Sequence, residues 1–201
     1  PDDCRGYFYA RNSDGTVTVF AGTIDELYRL DNTTLTWVKE SKSGGPYTDL
    51  PENAHWKFAQ FNNYVIAVQR NSPPQFWLLG TSTDFADLSG SPPSAGNVSI
   101  VNRFVVLSDL TSNPNRVQWS GLNAVTTWTS GTNSSDFQDL PDGGDALAVV
   151  GGEFGLILQQ TVIRRMTFSP GSETIFDIQR VEEEVGLLAQ HSVAVAGSRV
   201  F

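Results

Sequence analysis

A chain of 201 residues with a single cysteine, Cys4, cannot close an internal disulfide, and at this length it can bury roughly 70% of its unfolded surface without one. The formal charge of −9 is spread along the chain, and Arg164-Arg165 is its densest basic spot. This excludes tight, charge-neutralising contact with nucleic acid, although an acidic wall is compatible with DNA passing by. No apolar run approaches the ~20 residues a membrane helix needs.

Helical periodicity is almost absent. Short runs of Val, Ile, Thr, Phe, Tyr and Trp alternate with Gly, Pro, Asn, Asp and Ser, the pattern of many short strands. After a tight-turn pair at Asp14-Gly15, the first unit reads Thr16 to Phe20, Glu26 to Leu30 and Thr34 to Lys39, closed by the loop Ser43-Gly44-Gly45-Pro46. The second opens at Trp56 to Phe61 and continues through Tyr64 to Val68. A turn at Asn71-Ser72-Pro73-Pro74 then leads to Phe76 to Leu79, with a Pro/Ser/Gly loop over Ser89 to Gly96. The third holds Val98 to Val101, Phe104 to Leu107 and Arg116 to Trp119. The fourth holds Ala146 to Val150, Phe154 to Leu158, Val162 to Phe168 and Ile175 to Val181, and a fifth begins at Ser192.

These units repeat. An apolar strand introduced by Asn or Gly restarts at Tyr64, Phe104, Phe154 and Val200, in steps of 40, 50 and 46 residues. A period of about 40–50 residues in an all-β chain predicts propeller blades. Tyr64–Val68 and Phe104–Leu107 are apolar at every position, whereas an antiparallel strand with one wet face alternates. With no helix to cover them, such strands need sheets on both sides, which a propeller supplies and a two-layer sandwich or jelly roll does not. The expected fold is therefore an all-β propeller of antiparallel four-stranded blades, about four of them in this chain, with a large sandwich or jelly roll as the runner-up. Blades are expected near residues 14–50, 53–96, 97–142 and 143–185, with another starting at 186. Pro1 at the start and a strand pattern at the end read as a piece of a longer propeller, truncated at both ends.

Catalytic chemistry finds little to work with. His55 and His191 stand 136 positions apart, each just before a strand, and belong to no metal-spaced pair or nucleophile elbow; both read as structural strand-edge residues. Glu182 and Glu184 would be the usable pair of the Glu182-Glu183-Glu184 run, which reads better as a solvated acidic edge. Asp142-Gly143-Gly144-Asp145 lacks the lysine and following helix of a phosphate loop and reads as a turn. No catalytic residue, cofactor-binding residue, cofactor or metal ligand is expected. Five tryptophans (Trp37, Trp56, Trp77, Trp119, Trp128) are expected to pack between blades, the first four from within strands.

Three ordered stretches carry a family likeness. The first is Phe20-Ala21-Gly22-Thr23 with Leu27-Tyr28-Arg29-Leu30 and Trp37. The second is Arg116-Val117-Gln118-Trp119-Ser120-Gly121 with Trp128. The third is Gly143-Gly144-Asp145-Ala146-Leu147, then Ile163-Arg164-Arg165-Met166, then Gly186 to Ser192. In this order they resemble tailed-bacteriophage virion proteins with a β-propeller body, of the tail-nozzle or DNA-stabilisation type. The resemblance implies a structural, non-enzymatic component of the phage tail or neck. It would be assembled in the host cytoplasm as a homo-oligomer, most often a hexamer, on an adaptor or portal-proximal ring, with double-stranded DNA only as passing cargo and no membrane partner. It further implies that Gly22, Trp37, Trp56, Trp119, Ser120, Trp128, Gly143, Gly144 and Gly186 are packing and turn positions. The alternative is a receptor-recognising propeller that binds or hydrolyses glycans, favoured by the aromatic count and the acidic residues. A WD-repeat propeller ranks below both, because Gly-His and Trp-Asp pairs are absent.

Overall fold

The computed structural model describes residues 3–197 and 199–201; Ser198, part of the fifth-unit pattern, lies outside them. The first sheet is the meander β1 (Tyr7–Arg11), β2 (Val17–Gly22), β3 (Leu27–Leu30), β4 (Trp37–Lys39). The second runs β5 (Lys57–Phe61), β6 (Tyr64–Gln69), β7 (Ser72–Leu78), β8 (Ala86–Asp87). The third runs β9 (Ala95–Val101), β10 (Phe104–Leu110), β11 (Arg116–Trp119), β12 (Asp136–Asp139), and the fourth β13 (Ala146–Val150), β14 (Gly155–Gln159), β15 (Val162–Phe168), β16 (Phe176–Glu183). A two-stranded hairpin, β17 (Val195–Ala196) and β18 (Arg199–Val200), follows.

Every strand pairs antiparallel with its neighbour in sequence, so each sheet is an independent blade. The first strands of successive sheets touch one another (β1 with β5, β5 with β9, β9 with β13), while the fourth strands find their main neighbours inside their own sheet. First strands converging on an axis and fourth strands splayed at the rim is the arrangement of a β-propeller.

The core consists of the layers between blades. Val65 and Ala67 point into the cluster shared with the first sheet, around Phe20, Leu27 and Trp77, whereas Ile66 and Val68 point into the cluster shared with the third, around Val105, Leu107 and Leu110. In β10, Val105 and Leu107 face back to the second sheet, and Phe104 and Val106 face forward to Val149, Ile157 and Met166 of the fourth. All eight of these residues from β6 and β10 are fully buried. Continuous apolarity is thus met by a sheet on each side.

Several boundaries depart from the sequence expectation. The first blade begins at Tyr7, not residue 14: β1 pairs with β2 from Tyr7↔Ala21 to Arg11↔Val17. The third begins at Ala95, inside the stretch read as a loop. Pro73 and Pro74, read as a turn, lie inside β7. The β6–β7 ladder is irregular opposite them, passing from Ala67↔Gln75 to Gln69↔Ser72, so two residues without N–H groups cost it nothing there. Trp37, expected between blades, is 49% exposed on the outer face of the first sheet. It shares that face with Tyr7, Tyr9, Val17 and Val19, since strand residues two apart point the same way and cross-strand partners share a side.

Candidate functional site

The inner strands of the third and fourth blades are joined directly beside the axis. The Asn102 N–H donates to the Gly152 carbonyl (2.7 Å), the Gly152 N–H donates to the Ile100 carbonyl (3.0 Å), and the Ser99 hydroxyl donates to the Val149 carbonyl (2.5 Å). A Cβ on Gly151 would stand 2.1 Å from the Ile100 carbonyl oxygen. The close approach of the two backbones depends on that missing atom, and it leaves only a shallow depression by Phe58, Ser99 and Gly152.

Basic and polar groups gather beside the inner strands where the first and second blades meet. Trp56 anchors one wall. Its indole N–H donates to the Thr23 carbonyl (2.9 Å) and its backbone N–H to the Arg5 carbonyl (2.7 Å). Tyr47 packs edge-on against the ring, 5.1 Å between centroids. The seat exists because two glycines face it: a Cβ on Gly22 would lie 2.2 Å from the ring, and one on Gly6 2.5 Å from the Trp56 carbonyl oxygen. Gly6 also adopts φ +140°, a conformation side chains disfavour. With Trp56 fixed, its neighbours His55 and Lys57 are held at the cleft.

The second wall comes from residues 186–192, the segment after the fourth blade. Gly186 passes so near β14 that a Cβ would meet the Gln160 carbonyl oxygen at 2.3 Å. The Leu187 N–H donates to the Gln159 carbonyl (2.8 Å), and the Leu187 side chain packs against Ala148 and Leu158. Gln190 then donates to the Asp109 carboxylate (2.9 Å), which also faces the Arg70 guanidinium (3.1 Å). Gly96 leaves the space these groups occupy, since its Cβ would lie 2.0 Å from the Asp109 carboxylate. The next residue, His191, reaches His55, with ring centroids 4.3 Å apart and nearly perpendicular planes.

Charge at this end follows from burial. Burial pushes the Asp109 carboxyl up to about 6, against the opposing pull of Arg70 and Gln190. Desolvation holds the Lys57 ammonium below its ordinary value. Desolvation, then the nearby Lys57 and His55 charges, depress the His191 imidazole. Buried His55 Nδ1 has no hydrogen-bond partner among the described residues. A largely open cleft of about 320 Å³ lies between His55, Lys57, His191 and the Phe8–Phe58 pair.

Of the sequence-derived positions, Gly22, Trp56 and Gly186 build this site. Trp119, Ser120 and Trp128 lie in the third blade: the Trp119 indole N–H donates to the Ser134 carbonyl (2.9 Å), that of Trp128 to the Val125 carbonyl (2.8 Å), and the Ser120 hydroxyl accepts from the Val105 N–H (3.0 Å). Gly143 and Gly144 abut the Gln159 and Gln160 side chains. Glu183 pairs with Arg180 at the exposed end of β16, where Glu182 and Glu184 are exposed too. The sequence kept His55 and His191 apart; their shared scarcity was the one hint that they meet. Among the described residues, no three His, Cys, Asp or Glu side chains converge to hold a metal ion, and no helix is long and apolar enough to cross a membrane.

No family model matches the chain, and no curated protein is significantly similar to it. Among solved structures, it is similar to the N-terminal domain of Nup159 (TM-score 0.49, 14% identity), covering 87% of this chain and 47% of that one. It is also similar to Hsv2 of Kluyveromyces lactis (TM-score 0.43, 10% identity), covering 88% of this chain and 63% of that one. The chain thus spans about half the length of the first and less than two thirds of the second. Four consecutive antiparallel meanders, with inner strands in contact and apolar layers between them, establish the architecture from the sheets themselves: the chain is an all-β propeller.

Proposed function

We propose that the chain is a structural component of a tailed-bacteriophage tail or neck, a non-enzymatic propeller of which several copies ring the tail axis. The order of the packing and turn motifs carries this reading, and the apolar outer face of the first sheet is compatible with it. Tyr7 (73% exposed), Tyr9 (68%) and Trp37 (49%) stand on it together with Val17 and Val19. The opposite face of the same sheet, with Ala10, Phe20 and Leu27, is buried. In a propeller each blade is covered by the surfaces beside it, so this apolar face, with Val19 and Leu30 between Tyr9 and Trp37, is one that further protein would cover. The order of the packing and turn motifs supplies the phage context, and the acidic balance suits a surface past which DNA slides.

Immunogold electron microscopy of purified virions tests this: label at the tail or neck is expected, and a protein confined to host cytosol as a strict monomer overturns it. Tyr9→Lys with Trp37→Lys should leave the far-ultraviolet circular dichroism unchanged and abolish incorporation into particles.

A second reading, glycan recognition, is favoured by half-exposed Trp37, a flat ring available for sugar stacking. A glycan array separates the two: binding lost in Trp37→Ala would support the second reading, and an array without hits removes it.

A further inference from the structure

The cleft by Trp56 has a charge composition at odds with the rest of the chain. In a protein of net charge −9, His55, His191 and Lys57 meet there, and no carboxylate is among the residues lining it. Lys57 forms no ion pair among the described residues and is partly withdrawn from water. Gathering basic groups without a counter-charge is unfavourable and disfavours their charged forms; an anion seated among them reverses that cost. His55 also keeps a buried, unpartnered ring nitrogen, a polar group of the kind that costs free energy until something bonds to it. The remaining wall is aromatic: Phe8 and Phe58 stack at 5.9 Å with planes 11° apart. At about 320 Å³ the cleft lies at the small end of ligand-site volumes, which start at roughly 300 Å³.

We propose that this cleft binds a phosphate monoester carried on a flat ring, a ligand of the mononucleotide class, with the phosphate among His55, His191 and Lys57 and the ring against the Phe8–Phe58 wall. A phosphate offers several strong acceptor oxygens to three donors, and charge-assisted hydrogen bonds are the strong ones. The ring explains why aromatic side chains, not polar ones, finish the cleft. The groups facing His191 are His55 and Lys57 from the start of the second blade and the Asn53 backbone, which hydrogen-bonds its ring. Next to it, Gln190 leads to Asp109 and Arg70, which neutralise each other. Protonation of the imidazoles therefore strengthens binding, and bound phosphate raises their affinity for protons. The proposal is independent of the phage reading and stands or falls without it.

Calorimetric titration of the whole chain with AMP, adenosine and inorganic phosphate, at pH 6.0 and 8.0, tests it. The expected result is AMP binding about tenfold tighter at pH 6.0 than at pH 8.0, phosphate weaker than AMP by about tenfold, and no binding of adenosine. Lys57→Gln and His191→Gln should each weaken AMP by about tenfold or more. Histidine ring signals of the unmutated protein give a readout that no folding defect can imitate: AMP should shift the His191 titration to higher pH. No AMP binding at millimolar concentration, pH-independent binding, adenosine equal to AMP, phosphate equal to AMP, or an unmoved His191 titration would each overturn it.

Discussion

At the scale of single residues, the absence of a Cβ does as much as any side chain. Gly22 stands in β2 with ordinary backbone angles, yet an added methyl would fall 2.2 Å from the Trp56 ring, which is 2% exposed and cannot yield. Gly22→Ala should therefore cost about 1–3 kcal/mol, the usual price of overpacking, read as a lowered urea midpoint with an unchanged slope. Asp109 makes a pH prediction. Its folded carboxyl titrates near 6 against 3.8 for the free group. Between those values the folded protein holds a proton that the unfolded chain has released, so the stability contributed by this group grows as pH falls from 7 towards 4. Compared with the wild type, Asp109→Asn should thus be relatively most stable at pH 7.5 and lose that advantage by pH 4.5, measured by urea denaturation at each pH. A difference independent of pH would show that the carboxyl is not held in a dry site.

At the scale of elements, β6 and β10 express the fold most directly. Val105 faces the second blade and Val106 the fourth, and both are fully buried. Val105→Ala and Val106→Ala should therefore each destabilise by about 1.5–3 kcal/mol; in a two-layer sandwich one of the two would be nearly neutral. These strands were legible because their composition breaks alternation. The fourth blade was legible for the same kind of reason: all four of its strands were expected close to where they lie. β1 was not, although Tyr7, Phe8 and Tyr9 favour a strand, because no repeat unit preceded it to set a period. The short rim strands β8 (Ala86–Asp87) and β12 (Asp136–Asp139) carry almost no apolar pattern, since they pair along one edge and bury little. Trp37 was misplaced because its strand reads like the others; its exposure depends on which face has a neighbour.

At the scale of the whole molecule, net charge sets behaviour towards DNA. A surface of net charge −9 offers the DNA backbone no basic stripe. Double-stranded DNA should not be retained by the protein in a filter-binding or electrophoretic assay at about 0.15 M salt; retention at that salt would contradict the conduit reading, which needs a wall that DNA does not adhere to.

The sequence by itself determined the class of fold: strands by composition, blades by their period, and layers on both sides by apolar runs that nothing else could cover. These are local or periodic properties, written in residues near one another along the chain. The tertiary structure alone decided which distant residues share a space. His55 meets His191 because a glycine-seated tryptophan fixes one and a strap held by Gln190 and Asp109 delivers the other. No pattern along the chain encodes that meeting, since it depends on how four independent sheets turn about one axis.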